Sequence, residues 1–128
     1  MSKKKTILLV DDDPTFLETT KIALEQHYNI QTAKDGNECF EKVEKEKPDL
    51  IILDVMMRHL GEGINVADKL KSNENTRKIP IIMLTAVNKV YDLSAEVEQS
   101  QFQKSDTWLE KPVEPKTLLY EVEKLIEE

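Results

Sequence analysis

The stretch Lys47-Pro48-Asp49-Leu50-Ile51-Ile52-Leu53-Asp54 is an apolar run that begins after a Lys-Pro pair and ends on a carboxylate. Four consecutive large apolar residues, two of them β-branched, indicate a short strand buried on both faces, as in a parallel sheet. Asp54 then lies at the carboxyl end of this strand. In open α/β sheets, ligands bind in the crevice beyond the carboxyl ends of the strands. The stretch therefore predicts an α/β fold with Asp54 as its reactive centre.

Strands and helices alternate along the rest of the chain. Besides the strand that ends at Asp54, the apolar runs predict strands at residues 6–10, 28–33, 79–85 and 108–112. Helical spacing of apolar residues predicts helices at about 14–26, around 39–43, around 64–70, at about 90–101 and from about 115 to the C-terminus. Asp13 is the expected N-cap of the first helix, residues 35–37 are predicted as a turn and residues 55–63 as a loop. Five strand–helix units predict a doubly wound α/β fold whose parallel sheet is covered by helices on both faces.

Composition limits the classes of function. A chain of 128 residues is the size of one domain, so we expect a single domain over 1–128, with residues 1–4 as a flexible extension and no output domain. The net charge of −7 argues against nucleic acid as a direct partner. No apolar run approaches the roughly 20 residues of a transmembrane helix, so we expect a cytoplasmic protein without membrane insertion. The single cysteine, Cys39, is expected to be a buried packing residue.

Polar residues at the predicted strand ends suggest the chemistry. Parallel strands would bring together the carboxylates of Asp11, Asp12 and Asp54, the hydroxyl of Thr85 and the ammonium of Lys111, because their carboxyl ends meet at one edge of the sheet. Three close carboxylates repel one another unless a cation joins them. Mg²⁺ prefers carboxylate, water and phosphate oxygens, so the cluster predicts a magnesium site completed by a phosphoryl group. A carboxylate nucleophile beside a metal and a lysine makes an aspartyl phosphate the expected product.

The chain resembles the receiver domains of response regulators in two-component signalling over essentially its whole length. The resemblance is carried by four segments, which are Ile7-Leu8-Leu9-Val10-Asp11-Asp12-Asp13, Pro48-Asp49-Leu50-Ile51-Ile52-Leu53-Asp54-Val55-Met56-Met57, Met83-Leu84-Thr85-Ala86 and Leu109-Glu110-Lys111-Pro112. Each segment is weakly specific alone, and their order at successive strand ends is highly specific. The resemblance implies a flavodoxin-like (βα)5 fold with the strand order 2-1-3-4-5.

The resemblance also implies a role for each matching residue. Asp54 matches the phosphoacceptor. Asp12, Asp54 and the backbone carbonyl of Met56 would bind Mg²⁺ directly, and Asp11 would act through a water molecule. Thr85 matches the switch hydroxyl that moves to meet the phosphoryl group and Lys111 the cation that pairs with it. Two further matches are Trp108, as the aromatic whose rotamer follows Thr85, and Pro112, preceded by a cis peptide bond. Trp108 is bulkier than the family's usual Tyr or Phe, and Arg58 replaces the family's usual proline.

Three functions remain open on these residues. The first is a phosphorylation-controlled signalling module: a histidine kinase or phosphotransfer protein donates the phosphoryl group, and a partner-binding face changes its affinity for a downstream protein. Such a protein catalyses only its own phosphorylation and dephosphorylation. The second is a phosphorylation-independent adaptor. The third is a phosphate-ester hydrolase, which is disfavoured because Met56 stands where that enzyme needs a carboxylate. Because Met56 and Val87 cannot orient an attacking water, we also expect a long-lived phosphoryl-Asp54.

Overall fold

The computed structural model describes residues 4–55, 57, 62–86 and 107–126. Along these residues the elements are β1 (Thr6–Val10), α1 (Pro14–Leu24), β2 (Asn29–Ala33), α2 (Gly36–Lys45), β3 (Leu50–Asp54), α3 (Glu62–Ser72), β4 (Ile81–Ala86), β5 (Thr107–Lys111) and α4 (Pro115–Ile126). The strands form one parallel sheet in the order β2-β1-β3-β4-β5. The predicted fold class and strand order are confirmed.

The sheet separates two apolar cores, because successive side chains of a strand point to opposite faces. In β1, Leu8 and Val10 join the core beneath α2 and α3, whereas Ile7 and Leu9 join the core beneath α1 and α4. All five residues of β3 are buried. Full burial on both faces explains why β3 forms a continuous apolar run in the sequence.

Helix starts account for the main differences from the sequence prediction. Residues 35–37 are not a separate turn, because α2 begins at Gly36 with Asp35 as its N-cap. The Asp35 side chain accepts a hydrogen bond from the Glu38 amide at 2.9 Å, and Oε1 of Glu38 accepts one from the Lys34 amide at 2.8 Å. This reciprocal pair resembles a capping box, so an acidic residue three positions after Asp35 was the signal that the prediction missed.

The predicted loop at residues 55–63 is also too long, because α3 begins at Glu62. The Gly63 amide donates to the Val55 carbonyl at 2.7 Å, which ties the first turn of α3 to the end of β3. Other boundaries differ by one or two residues, which is within the variation of helix and strand ends. The helix predicted at about 90–101 lies outside the described residues. Among the residues that are described, no helix has both the length and the apolar character needed to cross a membrane.

Candidate functional site

Three carboxylates meet at the carboxyl ends of β1 and β3. Asp11 directly follows β1 and Asp54 ends β3, and the neighbouring strands pair Val10 with Leu53. One carboxylate oxygen each from Asp11, Asp12 and Asp54 lies within 4.8 Å of the others. Asp11 is fully buried and Asp54 is 6% exposed, whereas Asp12 is exposed. Because two of these charges are withdrawn from water, the cluster requires cationic partners.

Asp11 also fixes the start of α1. Its Oδ1 accepts a hydrogen bond from the Asp13 amide at 2.9 Å. Asp13 in turn caps α1, because its Oδ1 accepts a hydrogen bond from the Thr15 amide at 3.0 Å, as the sequence predicted. The first turn of α1 is therefore held in a fixed position relative to the carboxylate cluster.

Lys111 contacts the carboxylate cluster from β5, the strand at one edge of the sheet. It ends β5, which is separated from β1 by β4 and β3. Its Nζ nevertheless donates to Oδ2 of Asp11 at 2.7 Å and lies 3.5 Å from Oδ2 of Asp54. The ammonium of this edge-strand residue is therefore in ionic contact with one carboxylate that ends β3 and another that follows β1.

The ionic contacts of Lys111 change its acidity. Burial on its own lowers the pKa of the Lys111 ammonium, and the hydrogen bond and charge of Asp11, together with those of Asp54, outweigh it and raise the pKa above its ordinary value. Lys111 therefore stays protonated at neutral pH. A protonated lysine at this position neutralises part of the acidic cluster.

Thr85 and Trp108 occupy neighbouring strands, with Thr85 near the carboxyl end of β4 and Trp108 near the start of β5. Thr85 is buried near the end of β4, one residue beyond Leu84, the register partner of Asp54. Trp108 pairs in register with Met83 and packs, partly buried, against the core beneath α2 and α3. Because Met83 and Thr85 are two residues apart on one strand, Thr85 and Trp108 lie on the same face of the sheet.

Three contacts at this edge involve residues that the sequence analysis did not assign to the site. The Phe16 ring lies 4.6 Å from Nζ of Lys111, measured to the ring centroid. The buried carboxylate of Glu62 accepts a long hydrogen bond from the Gly36 amide at 3.5 Å, joining the starts of α2 and α3. Gly63 packs against the backbone of Asp54. Helical spacing assigned Phe16 to the core, and the glycines beside Glu62 suggested a loop.

The described donor atoms fit a magnesium ion. Carboxylate oxygens are the ligands that Mg²⁺ takes from proteins, and Asp11, Asp12 and Asp54 supply them within a small volume. Met56, whose carbonyl is the other predicted ligand, lies outside the described residues. So do Val87 and Arg58. The roles assigned to the individual side chains stay predictions.

Comparison with known proteins relates this arrangement to one family. The sequence profile of the response regulator receiver domain matches residues 7–123. The alkaline phosphatase synthesis transcriptional regulatory protein PhoP of Bacillus subtilis is 38% identical over 113 residues, which cover 88% of this chain and 44% of that protein. The phosphate regulon transcriptional regulatory protein PhoB of Pseudomonas aeruginosa is 37% identical over 90% of this chain and 48% of its own length. The chain thus spans about half the length of the curated relatives it matches.

Solved structures have the same architecture over nearly the whole chain. A putative response regulator from Chloroflexus aurantiacus is 30% identical, covers 98% of this chain and 100% of its own, and superposes with a TM-score of 0.84. The receiver domain of the sensor histidine kinase PA1611 from Pseudomonas aeruginosa is 26% identical and covers 98% of this chain and 99% of its own, with a TM-score of 0.83. That structure has a magnesium ion coordinated in its active-site cleft.

Proposed function

The chain belongs to the response regulator receiver family of two-component signalling, and from this premise we propose that it is switched by phosphorylation of Asp54. The observation that carries the proposal is the position of the Lys111 ammonium. It lies 3.5 Å from the Asp54 carboxylate, beside two further carboxylates suited to Mg²⁺. Receiver domains interact with histidine kinases, so a histidine kinase or a phosphotransfer protein is the proposed donor.

The proposed reaction is transfer of a phosphoryl group to a carboxylate. An Asp54 oxygen forms a bond to phosphorus while the phosphorus–nitrogen bond of a phosphohistidine breaks, and the electron pair remains on the leaving imidazole. Catalysis of this kind depends on positioning and on neutralising the equatorial oxygens. Lys111 supplies a fixed positive charge at Asp54 for those oxygens. Beyond its own phosphorylation and dephosphorylation, the domain would catalyse nothing.

Magnesium fits the same proposal. Asp12 and Asp54 would hold the ion directly, and Asp11 would hold it through a water molecule. Because Asp11 already accepts hydrogen bonds on both oxygens, from the Asp13 amide and from Lys111, an indirect contact is favoured for it. The ion would supply positive charge for the phosphoryl oxygens. The receiver domain of PA1611 has magnesium coordinated in its active-site cleft.

Thr85 and Trp108 are the proposed switch. A hydroxyl at the end of β4 can donate to a phosphoryl oxygen on the neighbouring β3. Its movement would change the packing of Trp108, since the two residues share one face of adjacent strands. Trp108 would then alter the surface that a downstream protein recognises. The named relatives are transcriptional regulators, and we propose that this domain controls its output through protein contacts, with no direct contact to nucleic acid.

Trp108 provides the test, because it is the single tryptophan of the chain. Its fluorescence is recorded while beryllofluoride, a phosphoryl mimic, is added with Mg²⁺ to the wild type, to Asp54→Asn and to Thr85→Ala. We expect a change in the wild type, none in Asp54→Asn, and a reduced change in Thr85→Ala despite binding of the mimic. If the wild type neither binds the mimic nor is phosphorylated by acetyl phosphate, the adaptor function replaces this proposal. Turnover of phosphate esters would indicate the hydrolase.

A further inference from the structure

We propose that Phe16 is a positioning residue for phosphorylation, because its ring holds the Lys111 ammonium beside Asp54. This inference rests on the proposed function of Asp54. The Lys111 Nζ lies 4.6 Å from the centroid of the Phe16 ring, within the range of a cation–π contact. On its other sides the same ammonium contacts the carboxylates of Asp11 and Asp54.

The position of Phe16 is set by the carboxylate cluster itself. Asp11 accepts from the Asp13 amide, and Asp13 caps α1. Phe16 belongs to the first turn of that helix, so its backbone is fixed relative to the acid that binds Lys111. The ring is partly buried and packs against the core beneath α1 and α4, which restricts its rotation. Asp11 therefore helps to fix the positions of both the Phe16 ring and the Lys111 ammonium.

Lys111 needs such a restraint because of its length and exposure. Its side chain links β5 to carboxylates at the ends of β1 and β3 and remains 25% exposed. Lysine loses considerable rotamer entropy when it is held in one geometry. The carboxylates attract the ammonium, but during the reaction they must also interact with other positive charges. The uncharged ring has no such competing role, so it attracts the ammonium throughout.

The test compares two substitutions of Phe16. Phe16→Leu keeps an apolar side chain but removes the aromatic face, whereas Phe16→Tyr keeps the face at this partly exposed position. Phosphorylation of Asp54 by acetyl phosphate with Mg²⁺ is followed by intact mass. We expect Phe16→Leu to lower the rate constant by about three- to tenfold, the size of an ordinary cation–π contact, and Phe16→Tyr to restore it.

Two further measurements separate positioning from packing. In a Lys111→Met background, Phe16→Leu should have no additional effect on the remaining rate, because the ring no longer has an ammonium to hold. In the metal-free protein, the ε-methylene protons of Lys111 should resonate upfield in NMR spectra of the wild type and Phe16→Tyr, and should lose this ring-current shift in Phe16→Leu.

Several results would overturn the inference. One is a wild-type rate in Phe16→Leu, and another is an equally slow Phe16→Tyr. A third is the same loss from Phe16→Leu with or without Lys111. Failure of the wild type to be phosphorylated on Asp54 would instead refute the proposed function, so the two failures are distinguishable.

Discussion

Substitution of Gly63 tests how α3 supports β3, the strand that ends at Asp54. A Cβ at this position would clash with the Asp54 carbonyl oxygen and would lie 2.7 Å from the Val55 Cα and 2.8 Å from the Asp54 carbonyl carbon. All three are backbone atoms of the strand end, so none can rotate away. Gly63→Ala must therefore move either the start of α3 or Asp54, the proposed phosphoacceptor.

Three contributions determine how Gly63→Ala changes the free energy of unfolding. Alanine in a helix is favoured over glycine by up to about 1 kcal/mol. Forcing a methyl group into a filled space costs about 1 to 3 kcal/mol, and this contact is close enough for the upper part of that range. Loss of the 2.7 Å hydrogen bond from the Gly63 amide to the Val55 carbonyl costs about 1 kcal/mol more. We expect the free energy of unfolding to fall by about 2 to 3 kcal/mol.

Urea denaturation and acetyl phosphate labelling give the two readouts. Misplacement of Asp54 should slow phosphorylation by about ten- to a hundredfold. Gly36→Ala is the matched control, because its Cβ would meet side-chain atoms, Cγ2 of Val66 at 2.9 Å and Oε2 of Glu62 at 3.6 Å. Because Val66 is buried and β-branched, that control should still cost up to about 2 kcal/mol, but it should leave the rate of phosphorylation unaffected. If Gly63→Ala and Gly36→Ala have the same effects on the free energy of unfolding and on the rate of phosphorylation, then close packing of Gly63 does not position Asp54.

Three shorter predictions concern charge, metal and thiol. Lys111→Met should lower the stability of the metal-free protein by about 1 to 3 kcal/mol at neutral pH. Folding raises the Lys111 pKa, so the stability that Lys111 contributes is fully present below its pKa in the unfolded chain and is lost as pH rises through its pKa in the folded protein. The urea midpoints of the wild type and Lys111→Met should therefore converge above about pH 10.4. A hundredfold excess of Mg²⁺ over its dissociation constant should stabilise the wild type by about 2.7 kcal/mol, and calorimetry should detect much less stabilisation of Asp12→Asn. Burial raises the pKa of the Cys39 thiol to about 12, so iodoacetamide should label Cys39 only after the protein is unfolded, and rapid labelling of the native protein would contradict its burial.

The strands and the residues at their ends could be predicted from sequence for a physical reason. A strand buried on both faces has no polar position to accommodate, so β3 stands out as an apolar run, and the polar residue that ends the run identifies Asp54. The same applies to Asp11 after β1, all of whose residues are buried. Parallel pairing then brings these ends together without any knowledge of the loops.

The sequence does not reveal how far side chains extend or in which direction they point. Nothing in the spacing reveals that Lys111, on β5, donates to Asp11, which follows β1, at 2.7 Å. Phe16 falls on the apolar stripe of α1, so periodicity assigns it to the core, and only the folded chain brings its ring to an ammonium from β5. The start of α3 was missed because glycine usually signals a loop. At Gly63 it instead permits close contact with the strand.

The central claim is that Asp54 is the phosphoacceptor, and direct chemical trapping tests it. The protein is incubated with acetyl phosphate and Mg²⁺ and then reduced with borohydride, which converts an aspartyl phosphate to homoserine, and peptides are sequenced by mass spectrometry. We expect homoserine at position 54, dependent on Mg²⁺ and absent from Asp54→Asn. Homoserine at position 11 or 12, or no modification of the folded wild type, would contradict it.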